Sequence, residues 1–244
     1  MIASPLAVLA ATAATIGTLH TLLGPDHYLP FIAMARARRW SIAKTIYVTL
    51  ACGSAHVASS VVLGLAGILA GWSVGSLNRF EGTRGELAAW LLLGFGLAYT
   101  IWGLRRAIRK QPHTHWHTHV DGTRHRHEHT HDGEHLQVHS DEFAPDLATP
   151  ERSITPWMLF TVFLFGPCEP LIPILMYPAA ERSWGGLVMI TAVFSACTLA
   201  TMLATVVTGY YGLSAARLGR LERYSHALAG LALMACGLGM RLGA

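Results

Sequence analysis

Six apolar stretches, at roughly 5–24, 45–72, 87–104, 156–178, 184–211 and 225–240, constrain this chain more than any other feature. Each has close to the length needed to cross a hydrocarbon layer of about 30 Å as a helix. Inside such a layer every backbone N–H and C=O must be satisfied within the segment, so helices are the expected form. Charge is correspondingly scarce. Hydrophobic residues make up 52% of the chain and charged residues 13%, against about 25% charged in soluble proteins. A water-soluble domain of this make-up would expose too much apolar surface. The expected fold class is an all-α integral membrane protein, built as one compact bundle.

The opening residues MIASPLAVLA lack a basic leader, so the first stretch is expected to stay in place as a helix rather than be cleaved. Cys52, Cys168, Cys197 and Cys236 all lie in apolar stretches, which argues against a disulfide framework. The net charge of +4 does not point to nucleic acid, because membrane topology accounts for it. Fourteen of the eighteen basic residues fall in the first, third and fifth loops, among them Arg36, Arg38, Arg39, Lys44, Arg105, Arg106 and Arg223. The second loop, with Arg79 and Arg84, the fourth, with Arg182, and the tail, with Arg241, hold the rest. The positive-inside rule then puts the odd loops in the cytoplasm and both termini outside.

A repeat is written in the prolines. Gly24-Pro25-Asp26-His27 in the first stretch matches Gly166-Pro167-Cys168-Glu169 in the fourth, and each is followed by a further proline, Pro30 and Pro173. Residues 51–67 align without gaps on 196–212, with Cys52 on Cys197, His56 on Thr201, Ser60 on Thr205, Gly64 on Gly209 and Gly67 on Gly212. Gly94, Gly103 and Arg105 fall on Gly230, Gly239 and Arg241 in the third pair. Three stretches separate equivalent elements, so the halves have opposite topology. The expected organisation is six transmembrane helices as two inverted three-helix repeats, 1–110 and 153–244, with proline-broken helices 1 and 4. A cytoplasmic histidine-rich segment at 111–152 joins them. Inverted repeats with broken helices and a site at their interface are the plan of many transporters.

The polar residues inside the apolar stretches are few. Asp26 and Glu169 each sit in a Gly-Pro motif, and His20, His27 and His56 join them. His20 and His27 are two helical turns apart and would share a face of a continuous helix; Cys52 and His56, four apart, share one as well. Each has a bland reading. His56 is compatible with a hydrogen-bonded packing histidine, Cys52 and Cys197 with helix packing, Asp26 with a helix cap, and Glu169 with a structural arginine pair. Thr198, Thr201, Thr205 and Thr208 form a stripe that suits packing, or else the lining of a path. Together, however, ionisable groups in a bilayer mark function by default. Imidazole with carboxylate suits nickel, cobalt, zinc or iron, and a thiol such as Cys168 adds softer character.

Residues 111–140, QPHTHWHTHVDGTRHRHEHTHDGEHLQVHS, carry ten of the fourteen histidines: His113, His115, His117, His119, His125, His127, His129, His131, His135 and His139. This composition cannot build a core, so disorder is expected. Alternating imidazoles with acids suit reversible metal capture, or pH sensing.

With these residues in view, HTLLGPDH (20–27) resembles the His-x-x-x-x-x-Asp-His signature of nickel/cobalt transporters of the NicO type, a group that includes urease-accessory-like membrane proteins within a LysE/DsbD-like superfamily. His56 and the histidine-rich loop resemble features of that group. The resemblance implies transport of Ni²⁺ or Co²⁺, with His20, Asp26 and His27 in the metal path. The chain also resembles DsbD/CcdA transmembrane thiol-disulfide electron carriers, but these use a cysteine in each of the first and fourth spans. Here Cys168 stands opposite Asp26. A LysE-like amino-acid exporter would not explain the histidine loop.

The expectation is therefore a multi-pass protein of the plasma (inner) membrane that moves a divalent transition metal and is not an enzyme. Its metal residues are His20, Asp26, His27, His56, Glu169 and Cys168, the loop histidines serving for capture. No permanent cofactor is expected. The cargo is Ni²⁺ or Co²⁺ first, Zn²⁺ or Fe²⁺ second. Partners are the ion and the bilayer, with a homo-oligomer or a cytoplasmic metallochaperone compatible. A collecting loop on the cytoplasmic side favours export over uptake. No ATP-binding P-loop is present, so an ion gradient or the metal gradient would drive movement. The rival classes are the thiol-disulfide carrier and a metal-insertion accessory protein.

Overall fold

The computed structural model describes residues 5–109, 113–118, 124–129, 155–168, 170–215 and 219–242. Helix α1 (Pro5–Leu23) opens on a proline, whose missing N–H is no loss at a helix start. Thr12, Thr15 and Thr21 donate to the carbonyls of Val8, Ala11 and Gly17, so these hydroxyls ask nothing of lipid. Pro25 cannot donate to the Thr21 carbonyl, nor Pro30 to that of Asp26, and the helix breaks between them. A single 3₁₀ turn, Pro25–His27, fills the break, and α2 (Leu29–Ala37) resumes beyond it. Helix α3 (Ile42–Leu69) starts at Ser41, whose hydroxyl accepts the Lys44 N–H at 3.2 Å. Gly71, at φ 69°, makes the turn into α4 (Val74–Arg109). The second half runs α5 (Thr155–Phe165), α6 (Leu171–Ala180), α7 (Trp184–Ala215), a 3₁₀ segment Gly219–Tyr224 and α8 (Ser225–Leu242).

Among the described residues, five helical stretches are long and apolar enough to cross a membrane: Pro5–Leu23, Ile42–Leu69, Val74–Ile108, Trp184–Ala215 and Leu221–Leu242. The chain is thus an all-helical multi-pass membrane protein in its apolar part. The fourth apolar stretch is divided. Its pieces, α5 of 11 residues and α6 of 10, are each too short to cross alone and meet at the second Gly-Pro motif. Large apolar side chains such as Val62, Leu69, Trp157, Trp184 and Val188 face outward, as lipid contact requires.

Two expectations need correction. The third stretch does not begin near 87, because α4 starts at Val74 and carries Arg79, Glu81 and Arg84 as helical residues rather than loop. The polar composition of 74–86 hides this, but its charges are matched inside the fold: Arg84 pairs with Glu81 at 2.7 Å and donates to Ser59 Oγ at 2.7 Å. The histidine-rich segment is also not without regular structure throughout. β1 (His113–Thr118) and β2 (Arg124–His129) pair antiparallel. Strict alternation with threonine and tryptophan matches the two-residue period of a strand. The remainder of 110–154, with His119, His131, His135 and His139, lies outside the described residues.

Small residues bring the helices together. A Cβ on Gly96 of α4 would stand 2.8 Å from the Gly230 carbonyl of α8, and one on Gly237 of α8 would stand 2.9 Å from the Ala89 carbonyl. One apolar cluster, including Phe31, Met34, Leu159, Phe163 and Met202, joins α2, α3, α5 and α7. A second, including Ala13, Leu171, Leu175 and Phe194, joins α1, α6 and α7.

Candidate metal centre at the helix breaks

The first break gathers three imidazoles. His20 comes from the last turn of α1, His27 ends the 3₁₀ turn, and His56 lies about halfway along α3. The His20 and His27 rings meet edge to face at 4.7 Å between centroids, and those of His27 and His56 at 5.2 Å. One nitrogen from each lies within 4.8 Å of the others. The sequence allows His20 and His27 a shared face across two turns of a continuous helix; the 3₁₀ turn instead folds His27 back. Only a glycine permits this fold, since a Cβ at residue 24 would stand 2.6 Å from His27 Nδ1.

The hydrogen bonds settle which nitrogen faces the cluster. His27 Nδ1 lies 3.2 Å from the Gly24 carbonyl, to which it donates, and 3.4 Å from Asp26 Oδ2. The Nε2 lone pair is then left for a ligand. His27 Nε2, His20 Nε2 and both nitrogens of His56 are buried with no hydrogen-bond partner. Such orphaned polar atoms each cost about 1–3 kcal/mol unless something occupies the space between them. Two nitrogens on one tetrahedral ion, each bonded at about 2.1 Å, sit about 3.4 Å apart. The three nitrogens here lie within 4.8 Å of one another, somewhat wider than that spacing. Neutral imidazoles at this spacing suit a transition-metal cation.

A cavity of about 560 Å³ reaches this cluster, and His20, Asp26, His27 and His56 line it together with Glu86 and Arg241. Glu86 and Arg241 pair at 3.6 Å between α4 and α8, both exposed, so this part of the cavity lining reaches solvent. Apolar rings also pack against the cluster, and Phe163 lines the same cavity. Phe163 stacks against His56 at 6.2 Å, and Phe31 against Phe163 at 4.7 Å.

The remaining expected residues are distributed unevenly. Asp26 belongs to the site but backs His27 rather than joining the three nitrogens. Cys168 is fully buried in the second apolar cluster, away from the imidazoles. Glu169 lies outside the described residues. Cys52 packs in the first apolar cluster, and all four cysteines are free. The threonine stripe does not line one path: Thr198 is buried, Thr205 donates to the carbonyls of Thr201 and Met202, and Thr208 is exposed. In the hairpin, His113, His115 and His117 pair in register with His129, His127 and His125.

Sequence reasoning missed Glu81, a fully buried carboxylate beside the second break. Its partner Arg84 also donates to the Leu164 carbonyl at 2.8 Å, at the end of α5 where helical carbonyls lack partners. The i,i+3 spacing of Glu81 and Arg84 was the available signal.

No protein-family model, no curated protein and no solved structure matches this chain.

Proposed function

We propose that the chain is a membrane transporter of a divalent transition-metal ion, with Ni²⁺ or Co²⁺ the foremost cargo and Zn²⁺ or Fe²⁺ next. The observation that carries this reading is the group of three imidazoles with buried, unpartnered nitrogens, at a helix break, beside a cavity whose lining reaches solvent at Glu86 and Arg241. An ion arriving there exchanges water for nitrogen. Asp26 supplies countercharge through His27, and we assign the second carboxylate to Glu169 of the matching motif.

The finer architecture in this proposal is six spans in two inverted repeats, with both termini outside. Helix packing supports it. Exchanging the first half for the second turns the α1–α7 contact into the α5–α3 contact and the α2–α7 contact into α6–α3, and all four occur. The detail follows suit: Ile32 of α2 fills the space over Gly209 of α7 as Leu175 of α6 fills that over Gly64 of α3. In this topology the cavity opens outward and the hairpin is cytoplasmic. Its six histidines pair with one another in the register of the two strands and suit capture of ions bound for export.

The test is metal flux in liposomes holding the purified protein alone, comparing Ni²⁺, Co²⁺, Zn²⁺ and Fe²⁺. Saturable flux that His27→Ala removes supports the reading. No flux of any of the four in a folded, correctly inserted protein would exclude it and favour an accessory role that needs a partner.

A further inference from the structure

A second cavity, of about 680 Å³, lies at the opposite end of the bundle from Arg241, where α2, α4 and α7 finish. Five arginines line it: Arg36, Arg38, Arg39, Arg106 and Arg223. Among the described residues lining it, Glu222 is the one carboxylate, and it is engaged with Arg36 at 3.7 Å. Like charges gathered in a concave space repel one another unless an anion sits among them. The positive-inside rule asks for basic loops on one side of a membrane; it does not ask for five guanidiniums around one hollow.

The guanidiniums are also held in place. Arg38 donates to Thr155 Oγ1 at 2.9 Å and stands over the rings of Tyr99 and Trp102 at 5.8 and 5.7 Å. Its Nε is buried with no hydrogen-bond partner. Arg106 stands over the Trp102 ring at 5.4 Å. Arg39 is one of two non-glycine residues among the described ones with a left-handed backbone, φ 51°, a conformation that costs energy unless the surroundings enforce it. Fixed, forked donors of this kind match the oxygens of a phosphate, which accepts paired N–H groups from each arginine.

We propose that this cavity is a phosphate-binding site, filled by the headgroup of an anionic lipid or by a soluble phosphate. The anion neutralises the arginines and ties the ends of α2, α4 and the 3₁₀ segment Gly219–Tyr224 together. The site is separate from the histidine cluster and does not depend on the transport reading.

The test uses the full chain purified in a neutral detergent. Thermal stability is followed while phosphatidylglycerol, phosphatidylcholine or inorganic phosphate is added at constant ionic strength. Saturable stabilisation by phosphatidylglycerol alone assigns a lipid headgroup, and by phosphate alone a soluble ligand; stabilisation by both assigns the phosphate group itself. The Arg106→Gln, Arg223→Gln double variant should weaken the effect by about tenfold or more in apparent affinity, since charged hydrogen bonds are lost. Both side chains are exposed, so the variant keeps its core. Arg105→Gln removes a charge at the same end without touching the cavity and should leave the affinity unchanged. An equal loss in Arg105→Gln would reduce the effect to diffuse attraction and overturn the site. So would a lack of stabilisation by either anion beyond that given by phosphatidylcholine.

Discussion

The two Gly-Pro breaks begin alike and end differently. In the first, Gly24 makes room for His27 to fold back and present its Nε2 to the cluster. In the second, the residue after Pro167 is Cys168, which turns into the apolar core. Gly166 makes room for something else: a Cβ there would stand 3.1 Å from Nδ1 of His56. One break thus contributes an imidazole to the cluster, and the other contributes space for the imidazole of His56. The same Gly-Pro pair interrupts a helix in both places, and in both the glycine leaves room for an imidazole.

This asymmetry can be broken most sharply at the ligand itself. His27→Ala should reduce metal flux to background and metal affinity, measured by calorimetry on protein lacking residues 113–139, by at least about a hundredfold; the deletion keeps the hairpin histidines from masking the site. Cys168→Ala, at the other break, should leave flux within about twofold of the parent. A dead Cys168→Ala protein would restore the thiol-disulfide carrier as the leading reading. Next in size are the glycines. Gly24→Val and Gly166→Val should each weaken metal binding by tens of fold, because overpacking here displaces His27 or His56 rather than a flexible chain end. Gel filtration separates that outcome from misfolding, and a Gly166→Val protein that binds normally would mean His56 is no ligand.

Asp26→Asn should have a smaller effect than His27→Ala, about 10–100-fold in affinity, as expected of a group that orients a ligand from behind. Equal losses in the two variants would place the carboxylate on the metal. The smallest effect is in pH dependence. Protons compete for the imidazole lone pairs, so affinity should fall as pH falls, and His20→Ala should show a shallower slope in calorimetric titrations because one fewer site competes.

Much of this was legible in the chain. Proline chemistry is local, so both breaks could be read from Pro25, Pro30 and Pro167. The rarity of ionisable groups in apolar stretches singled out His20, His27 and His56. What could not be read depended on contacts between distant segments. Residues 74–86 look like a loop because their charges appear unpaired until Ser59 and the Leu164 carbonyl come beside Arg84. Asp26 adjoins His27 in sequence, but only the 3₁₀ turn brings its carboxylate to 3.4 Å from Nδ1 of that ring. Cys168 looks like a site residue because its neighbours in sequence do, whereas its burial is decided by α1 and α7. The hairpin was obscured by composition, since a histidine-rich segment reads as lacking a core whether or not its alternation supports a ladder.

Arg84 has a mechanical consequence. Its guanidinium holds Glu81 on α4, Ser59 on α3 and the final turn of α5 at once, at 2.7, 2.7 and 2.8 Å. Three short charge-assisted bonds on one rigid plane act as a rivet through three helices. Sliding α3 or α5 past α4 would break the bonds to Ser59 and the Leu164 carbonyl, although the Glu81 pair, within α4, would stay, so these contacts favour the three helices moving together. In the proposed carrier, movement that exposes the histidines to the far side would then fall to the elements outside the rivet, first among them α1 and the 3₁₀ turn, which carry two of the three imidazoles, with His56 on the frame held by Arg84.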